Sequence, residues 1–361
     1  MDYKYKRVAI KIGSNVLTRK DGTLDFTRMS ALSDQLAELH KNGIELIVVS
    51  SGAVASGRSE LKISHKLDSV SSRQLFSAVG QAKLINRYYE LFRDHNISCG
   101  QVLTTKENFG SRGHYLNQKN CMEVMLEEKV IPIVNENDTI SVTELMFTDN
   151  DELSGLIATM MNVDVLVILS NINGIYTGVP GEPGAEVIME ITPGRKDISS
   201  YIQTGKSSFG RGGMITKYNI ARKVAEEGIE VIIANGKKDN ILPLILCENS
   251  QEVCTRFLPS NKPVSGIKKW IAHSEGFAKG EIHINEGASD ALCGENAVSL
   301  LPVGVVKVVG NFESDDIVKI INDKGIQIGV GKTNVSSEKA ISLIGKKGVK
   351  PIVHYDYLYL D

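Results

Sequence analysis

Two short polar clusters, each joined to an apolar run, hold the residue types best suited to chemistry. Val130-Ile131-Pro132-Ile133-Val134 ends in Asn135-Glu136-Asn137-Asp138, and Asp149-Asn150-Asp151 opens a helical pattern of Leu153, Leu156, Ile157 and Met160. The apolar run reads as a strand buried on both faces, as strands of parallel sheets are. Ligands of such sheets collect beyond the carboxyl ends of the strands. The start of a helix, with free backbone N–H groups and the positive end of its dipole, favours anions there. The plainer alternative for either cluster is that its Asn and Asp residues are turn and N-cap residues.

Basic and glycine-rich segments complement these clusters. Lys11 lies inside the apolar strand Arg7 to Ile12, just before Gly13-Ser14-Asn15. A lysine there costs free energy unless its ammonium meets an anion. It reads as a phosphate contact beside a small-residue turn that lets backbone approach a ligand, or else as a snorkelling edge lysine. Ser50-Ser51-Gly52-Ala53-Val54-Ala55-Ser56-Gly57 follows the strand Glu45 to Ser50 and offers N–H groups and hydroxyls. Ser207 to Lys217 carries Gly210, Gly212 and Gly213 into a helix whose first turn holds Thr216 and Lys217. Such a segment can wrap phosphates and add charge, or be a flexible surface loop. Neither G-x-x-x-x-G-K-[ST] nor G-x-G-x-x-G is present, so the common nucleotide-binding fingerprints do not apply.

The elements that must position these residues alternate regularly. Strands are expected at Arg7 to Ile12, Glu45 to Ser50, Ile97 to Leu103, Val130 to Val134, Asp164 to Leu169 and Glu230 to Ala234. Helices are expected over Thr27 to Asn42, Ser72 to His95, Tyr115 to Glu128 and from Asp149 and Met214 onward. Residues 1–248 therefore read as a three-layer αβα domain with a largely parallel sheet. Residues 249–275 read as a polar connector. From 276 to 361 the pattern changes to short strands split by Gly, Asn and Asp turns, with two helical patches, as in a small β-rich barrel.

Composition narrows the function classes. The 361 residues carry a net charge of −2, which gives no bulk attraction to nucleic acid or membrane. The five cysteines form no C-x-x-C pair and the seven histidines no H-x-x-x-H, so no structural zinc site is expected. The odd cysteine count suits a reduced compartment, and no apolar stretch suits a signal peptide or a membrane span. The expected location is cytoplasmic.

The order Lys11-Ile12-Gly13-Ser14, Ser50-Ser51-Gly52-Ala53, Asn135-Glu136-Asn137-Asp138, Asp149-Asn150-Asp151 and Gly212-Gly213-Met214-x-Thr216-Lys217 resembles the amino-acid kinase family. Within that family it is similar to the branch that phosphorylates the side-chain carboxylate of L-glutamate. The connector Thr255-Arg256-Phe257-Leu258-Pro259 with Lys268-Lys269-Trp270-Ile271 is similar to that branch too. The tail, with Gly280-Glu281-Ile282, Ser299-Leu300-Leu301-Pro302-Val303-Gly304 and Gly310-Asn311-Phe312, resembles a PUA domain.

The resemblance implies phosphoryl transfer from Mg-ATP to L-glutamate, giving L-glutamyl 5-phosphate, the entry step to proline. An ionised carboxylate needs no general base. The task is to bring two anions together and neutralise charge on the moving phosphoryl group. By resemblance, Lys11 and Lys217 stabilise that group and Asp149 organises them. Ser51, Asp138, Asn150 and Asn135 form the glutamate site. Ser170, Asn171 and Arg211 to Lys217 (Arg211, Gly212, Gly213, Met214, Ile215, Thr216, Lys217), together with Lys11, form the nucleotide site. No protein metal cage is implied, so Mg²⁺ arrives on ATP. Two positions depart from the family: Asn171 stands where an acidic residue is common, and Arg211 where a threonine is.

The resemblance also implies a homo-oligomer, dimer or tetramer, and feedback inhibition by proline. The rival readings are another family member acting on acetylglutamate, aspartate, carbamate or UMP, and an RNA-binding protein using the PUA-like tail. Basic and acidic residues balance in that tail, so it lacks the basic excess of an RNA-binding surface.

Overall fold

The computed structural model describes residues 2–65, 67–110, 112–141, 149–194, 213–261, 271, 278–294 and 298–360. They divide into two compact units, Met1–Thr105 with Gln118–Pro263, and Lys106–Asn117 with Val264–Asp361.

The elements up to Pro263 run in the order Arg7–Ile12 (β1), Ser14–Leu17 (α1), Phe26–Lys41 (α2), Glu45–Ser50 (β2), Ala53–Glu60 (α3), Ser69–Arg93 (α4) and Ser98–Thr104 (β3). Lys106–Gly110 (α5), Arg112–Glu127 (α6), Val130–Glu136 (β4), Asn150–Met161 (α7), Val165–Ser170 (β5) and Glu190–Ile191 (β6) follow. Met214–Glu226 (α8), Glu230–Asn235 (β7), Ile241–Leu246 (α9) and Thr255–Phe257 (β8) complete it. The eight strands form one sheet in the order β3-β4-β2-β1-β5-β7-β8-β6. Pairing is parallel from β3 through β7, and β8 runs antiparallel to β7. The expected α/β architecture is what forms.

β1 is central because both its faces must be covered. Val8, Ile10 and Ile12 alternate into a core shared with α2, α4 and α9, including Leu32, Leu36, Leu84, Tyr88 and Leu242. Alternation sends Ala9 and Lys11 to the opposite face, where α7 packs on β1. α7 is buried along almost its whole length, from Asp151 and Leu153 through Met161. Gly155 allows α7 and α8 to meet closely: a Cβ there would stand 2.8 Å from Cγ2 of Ile220. That approach matters for the site, because α8 carries Lys217.

A second close contact fixes the other wall. A Cβ on Gly80 of α4 would fall 1.8 Å from the carbonyl oxygen of Ala53, and one on Gly57 of α3 1.9 Å from that of Phe76. Neither position admits a side chain, so the two helices lie backbone to backbone. α3 itself starts from Gly52, whose φ of +114° turns the chain sharply out of β2.

Two findings differ from the sequence expectation. Thr255–Phe257, inside the stretch read as connector, is a strand of the main sheet, and the first compact unit reaches Pro263. Three residues with a central Arg256 give no alternation to read. Arg256 is tolerated because it donates to Glu230 Oε1 at 3.0 Å and to the Ile245 carbonyl at 2.7 Å.

In the second unit Gly280–Ile284 (β9), Glu286–Cys293 (α10), Val305–Gly310 (β10), Ile317–Ile321 (β11), Gln327–Thr333 (β12), Ser337–Leu343 (α11) and Val353–Leu360 (β13) build a separate five-stranded sheet. Its order is β10-β9-β11-β12-β13. Ile282, Ile284, Phe312, Val318, Ile320 and Val353 form its core. Among the described residues no helix is long and apolar enough to cross a membrane.

Candidate active site

The carboxyl ends of β1, β2, β4 and β5 open into a cavity of about 580 Å³. Lys11 leaves β1, Ser51 follows β2, Asn135 and Glu136 close β4, and Ser170 closes β5; all line it, with Asp138, Asp149, Asn150, Asp151 and Lys217. Strands, a helix start and a second helix start thus converge on one space, as an open parallel sheet requires of a ligand site.

At its centre two lysines share one carboxylate. Lys11 Nζ stands 2.5 Å from Asp151 Oδ1, and Lys217 Nζ 2.8 Å from Asp151 Oδ2. Asp151 is fully buried and the two lysines nearly so. Burial pushes the Asp151 carboxyl up, but the ammonium groups of Lys11 and Lys217 outweigh it and hold it below the ordinary carboxylate range. An ammonium has three N–H donors, and Asp151 takes one from each lysine. The pair therefore presents converging positive charge to the cavity with its stems fixed.

This corrects the assignment of Asp149 as organiser of the lysines. Asp149 is the N-cap of α7: its Oδ1 accepts from the backbone N–H of Asp151 at 2.8 Å and of Glu152 at 3.1 Å. Its extended backbone, φ −166°, turns the carboxylate onto the first helical turn. The residue that reaches the lysines, Asp151, is two positions further on, the second residue of the helix. The Asp149-x-x-Glu152 spacing is the capping signal that separates the two aspartates.

Asp149 Oδ2 is buried and has no hydrogen-bond partner among the described residues. Burial and the neighbouring Asp151 charge push its carboxyl up to about 6, against the opposing pull of both lysines. The folded form therefore binds more protons than the unfolded chain between about pH 4 and pH 6. Stability from this group falls as pH rises through that window. The penalty above it is on the order of 2–3 kcal/mol. Asp149→Asn keeps the capping oxygen and removes the charge. It is expected to raise the melting temperature at pH 7.5 and to match the parent below about pH 4. A difference in thermal melting that ignores pH would show that the Asp149 charge is not what costs stability.

Beyond the lysines a chain of amides follows. Asn150 Nδ2 donates to Ser51 Oγ at 3.0 Å and to Asn135 Oδ1 at 3.1 Å, and Asn135 Nδ2 donates to Gln81 Oε1 at 2.8 Å. Ser50, next to Ser51, is held by a 2.8 Å hydrogen bond to the buried Tyr88 hydroxyl. Asp138 lies further along. It accepts from Ser77 Oγ at 3.1 Å and is ion-paired with Arg73, which also reaches Glu136 Oε2 at 2.7 Å.

Eight of the candidate residues thus meet around one cavity: Lys11, Ser51, Asn135, Asp138, Asp149, Asn150, Ser170 and Lys217. Asn171 is exposed, accepts from Ser170 Oγ at 3.5 Å, and lies off the cavity lining. Gly213, Met214, Ile215 and Thr216 form the start of α8 and lie off it as well. Arg211 and Gly212 fall outside the described residues. Asp151 and Glu136 stand in the polar clusters read from the sequence but carry no role of their own there, and Arg73 is the site residue that sequence reasoning missed.

Residues 6–235 match the amino acid kinase family and residues 280–355 the PUA domain. A glutamate 5-kinase of Bacteroides thetaiotaomicron is 68% identical over 361 residues, covering 100% of both chains. One of Chlorobaculum tepidum is 49% identical over 358 residues, covering 99% of this chain and 98% of its own. One of Dehalococcoides mccartyi is 38% identical over 345 residues, covering 94% and 91%. The chain belongs to the amino acid kinase family, in its glutamate 5-kinase branch, with a PUA domain following the kinase fold.

Proposed function

We propose that this chain transfers the γ-phosphoryl group of ATP to the side-chain carboxylate of L-glutamate, giving L-glutamyl 5-phosphate and ADP, the first step of proline biosynthesis. The observation that carries it is the pair of buried lysines on one aspartate, beside a pocket of amides and carboxylates. The acceptor oxygen and the phosphoryl group are both anionic. Two ammonium groups fixed between them lower their repulsion and offset charge on the phosphoryl oxygens in flight.

In this reading Lys11 and Lys217 are catalytic and Asp151 positions them. Ser51, Asn135, Asn150 and Asp138 hold glutamate. Ser170, Asn171 and Arg211 to Lys217 hold the nucleotide. Among the described residues no group of three or more His, Cys, Asp or Glu could hold a metal ion. Asp151 is committed to the lysines and Asp149 Oδ1 to the helix start. That donor set fits a Mg²⁺ ion carried on ATP with most of its waters, for which Asp149 Oδ2 is an unpartnered acceptor among the described residues. The ion would supply charge neutralisation at the phosphates. The protein acts in the cytoplasm as a homo-oligomer, and proline inhibits by competing at the glutamate pocket.

The test is ADP release with Mg-ATP across L-glutamate, N-acetyl-L-glutamate, L-aspartate, carbamate and UMP, with hydroxylamine trapping any acyl phosphate. Turnover with L-glutamate, with hydroxamate formed, is the expected result. Turnover with another acceptor alone would keep the fold and overturn the pocket assignment.

A further inference from the structure

Asp138, the group that suits a substrate ammonium, already has a cation. Arg73 Nη2 is ion-paired with Asp138 and stands 2.7 Å from Glu136 Oε2. Both carboxylates are buried, at 6% and 3% exposure, whereas Arg73 lines the cavity with 19% of its side chain exposed. The remaining Glu136 oxygen accepts from Ser141 Oγ at 2.7 Å, so Glu136 has both oxygens engaged and is fixed. Among the described residues Asp138 has Ser77, at 3.1 Å, besides Arg73. One guanidinium and two carboxylates thus meet on the cavity wall. They sit on the α4 flank that the Gly80 and Gly57 contacts lock in place.

We infer that Arg73 is a specificity residue that reads the α-carboxylate of the amino-acid substrate, and that its ion pair with Asp138 is exchanged for the substrate's own two charges. The inference rests on the amino-acid reading given above. An α-ammonium entering the wall takes the place of Arg73 on Asp138. Arg73 stays anchored on Glu136 and turns its freed N–H groups to the α-carboxylate. A guanidinium has five donors in a planar fork, enough to serve a fixed carboxylate and a ligand carboxylate together. Buried charges exchange only when each stays paired. A ligand carrying both charges on one carbon therefore enters at lower cost than one carrying either alone. The far end of the same ligand points its second carboxylate to Lys11 and Lys217.

Two analogues separate these charges. Glutarate lacks the ammonium, and 4-aminobutyrate lacks the α-carboxylate. Binding of L-glutamate, glutarate and 4-aminobutyrate is measured by calorimetry on the full chain with Arg73 and with Arg73→Met, beside KM and kcat in the hydroxamate assay. Arg73→Met is expected to weaken L-glutamate about 30-fold, the scale of one lost charged hydrogen bond. It is expected to weaken glutarate and to tighten 4-aminobutyrate, because Asp138 is released for the ammonium. The KM for L-glutamate is expected to rise more than kcat falls, and the KM for ATP to move least. Arg73→Lys, which keeps the charge and loses the fork, gives the same directions at smaller size and serves where Arg73→Met melts early.

All three ligands weakening together, or none moving, would overturn the inference and leave Arg73 a structural ion pair. A parent protein that forms no hydroxamate from L-glutamate would instead overturn the substrate reading. The crossed shift in binding would still decide the role of Arg73.

Discussion

Asp151→Asn is expected to lower kcat by about three orders of magnitude while leaving the KM for glutamate within a few-fold, because the residue acts through the lysines and not on the substrate. The asparagine occupies the same space, and the backbone carbonyl that accepts from Ser154 Oγ at 2.7 Å is unaffected. What changes is charge. Lys11 and Lys217 then face each other across a neutral amide, with 5% and 9% of their surfaces exposed. Removing one partner from a buried charged cluster typically costs about 3–5 kcal/mol. The lysines relieve it by moving apart toward solvent, which takes them off the line of phosphoryl transfer.

The same substitution carries a pH signature opposite to that of Asp149. The folded Asp151 carboxyl lies below its ordinary value, so its contribution is complete above the unfolded carboxyl range and is lost as pH falls through the folded value. The parent should exceed Asp151→Asn in melting temperature at pH 7, and the gap should close only in acid. Steady-state ADP release and thermal melting across pH check both parts. Full kcat in Asp151→Asn would remove the shared aspartate from the mechanism.

Much of this arrangement is legible in the chain, for identifiable reasons. Arg7–Ile12 and Glu45–Ser50 are short apolar runs ended by small polar residues, and both form at the expected bounds. Lys11, Ser51, Asn135, Asn150 and Lys217 stand at strand ends or helix starts, where topology alone brings them to one edge. The illegible parts depend on three-dimensional pairing. Which of two aspartates two residues apart meets the lysines is decided by the cap geometry of α7. Arg73 lies 63 residues from Glu136 in sequence, on a helix face with ordinary polar neighbours, and nothing local announces their contact. Thr255–Phe257 becomes a strand only because β7 offers its edge, and Ile241–Leu246 carries Pro243 in its first turn, where proline is tolerated but hides the helix.

Lys217→Ala is expected to lower kcat by about 10²–10³, the scale found when one preorganised donor to a developing anion is lost. The KM for glutamate should change little. The physical basis is where the charge is needed. In the ground state the ammonium is already satisfied by Asp151 at 2.8 Å, so a bound substrate carboxylate gains little more from it. As the phosphoryl group leaves ADP and approaches the acceptor, charge develops in the space the two lysines face, and the preset ammonium stabilises it without reorganising. Truncation leaves Asp151 paired with Lys11 alone, which preserves the fold better than removing the aspartate does. Lys217→Arg is not expected to restore the rate, since a planar fork cannot reproduce a compact point charge reaching from the first turn of α8.

The double variant Lys11→Ala with Lys217→Ala should lose less than the product of the single losses, because both lysines act through one carboxylate and one transition state. A large rise in KM with kcat preserved would be the opposite result. It would mean that Lys217 binds a ground-state ligand, and the phosphoryl-stabilising role would pass to Lys11 alone.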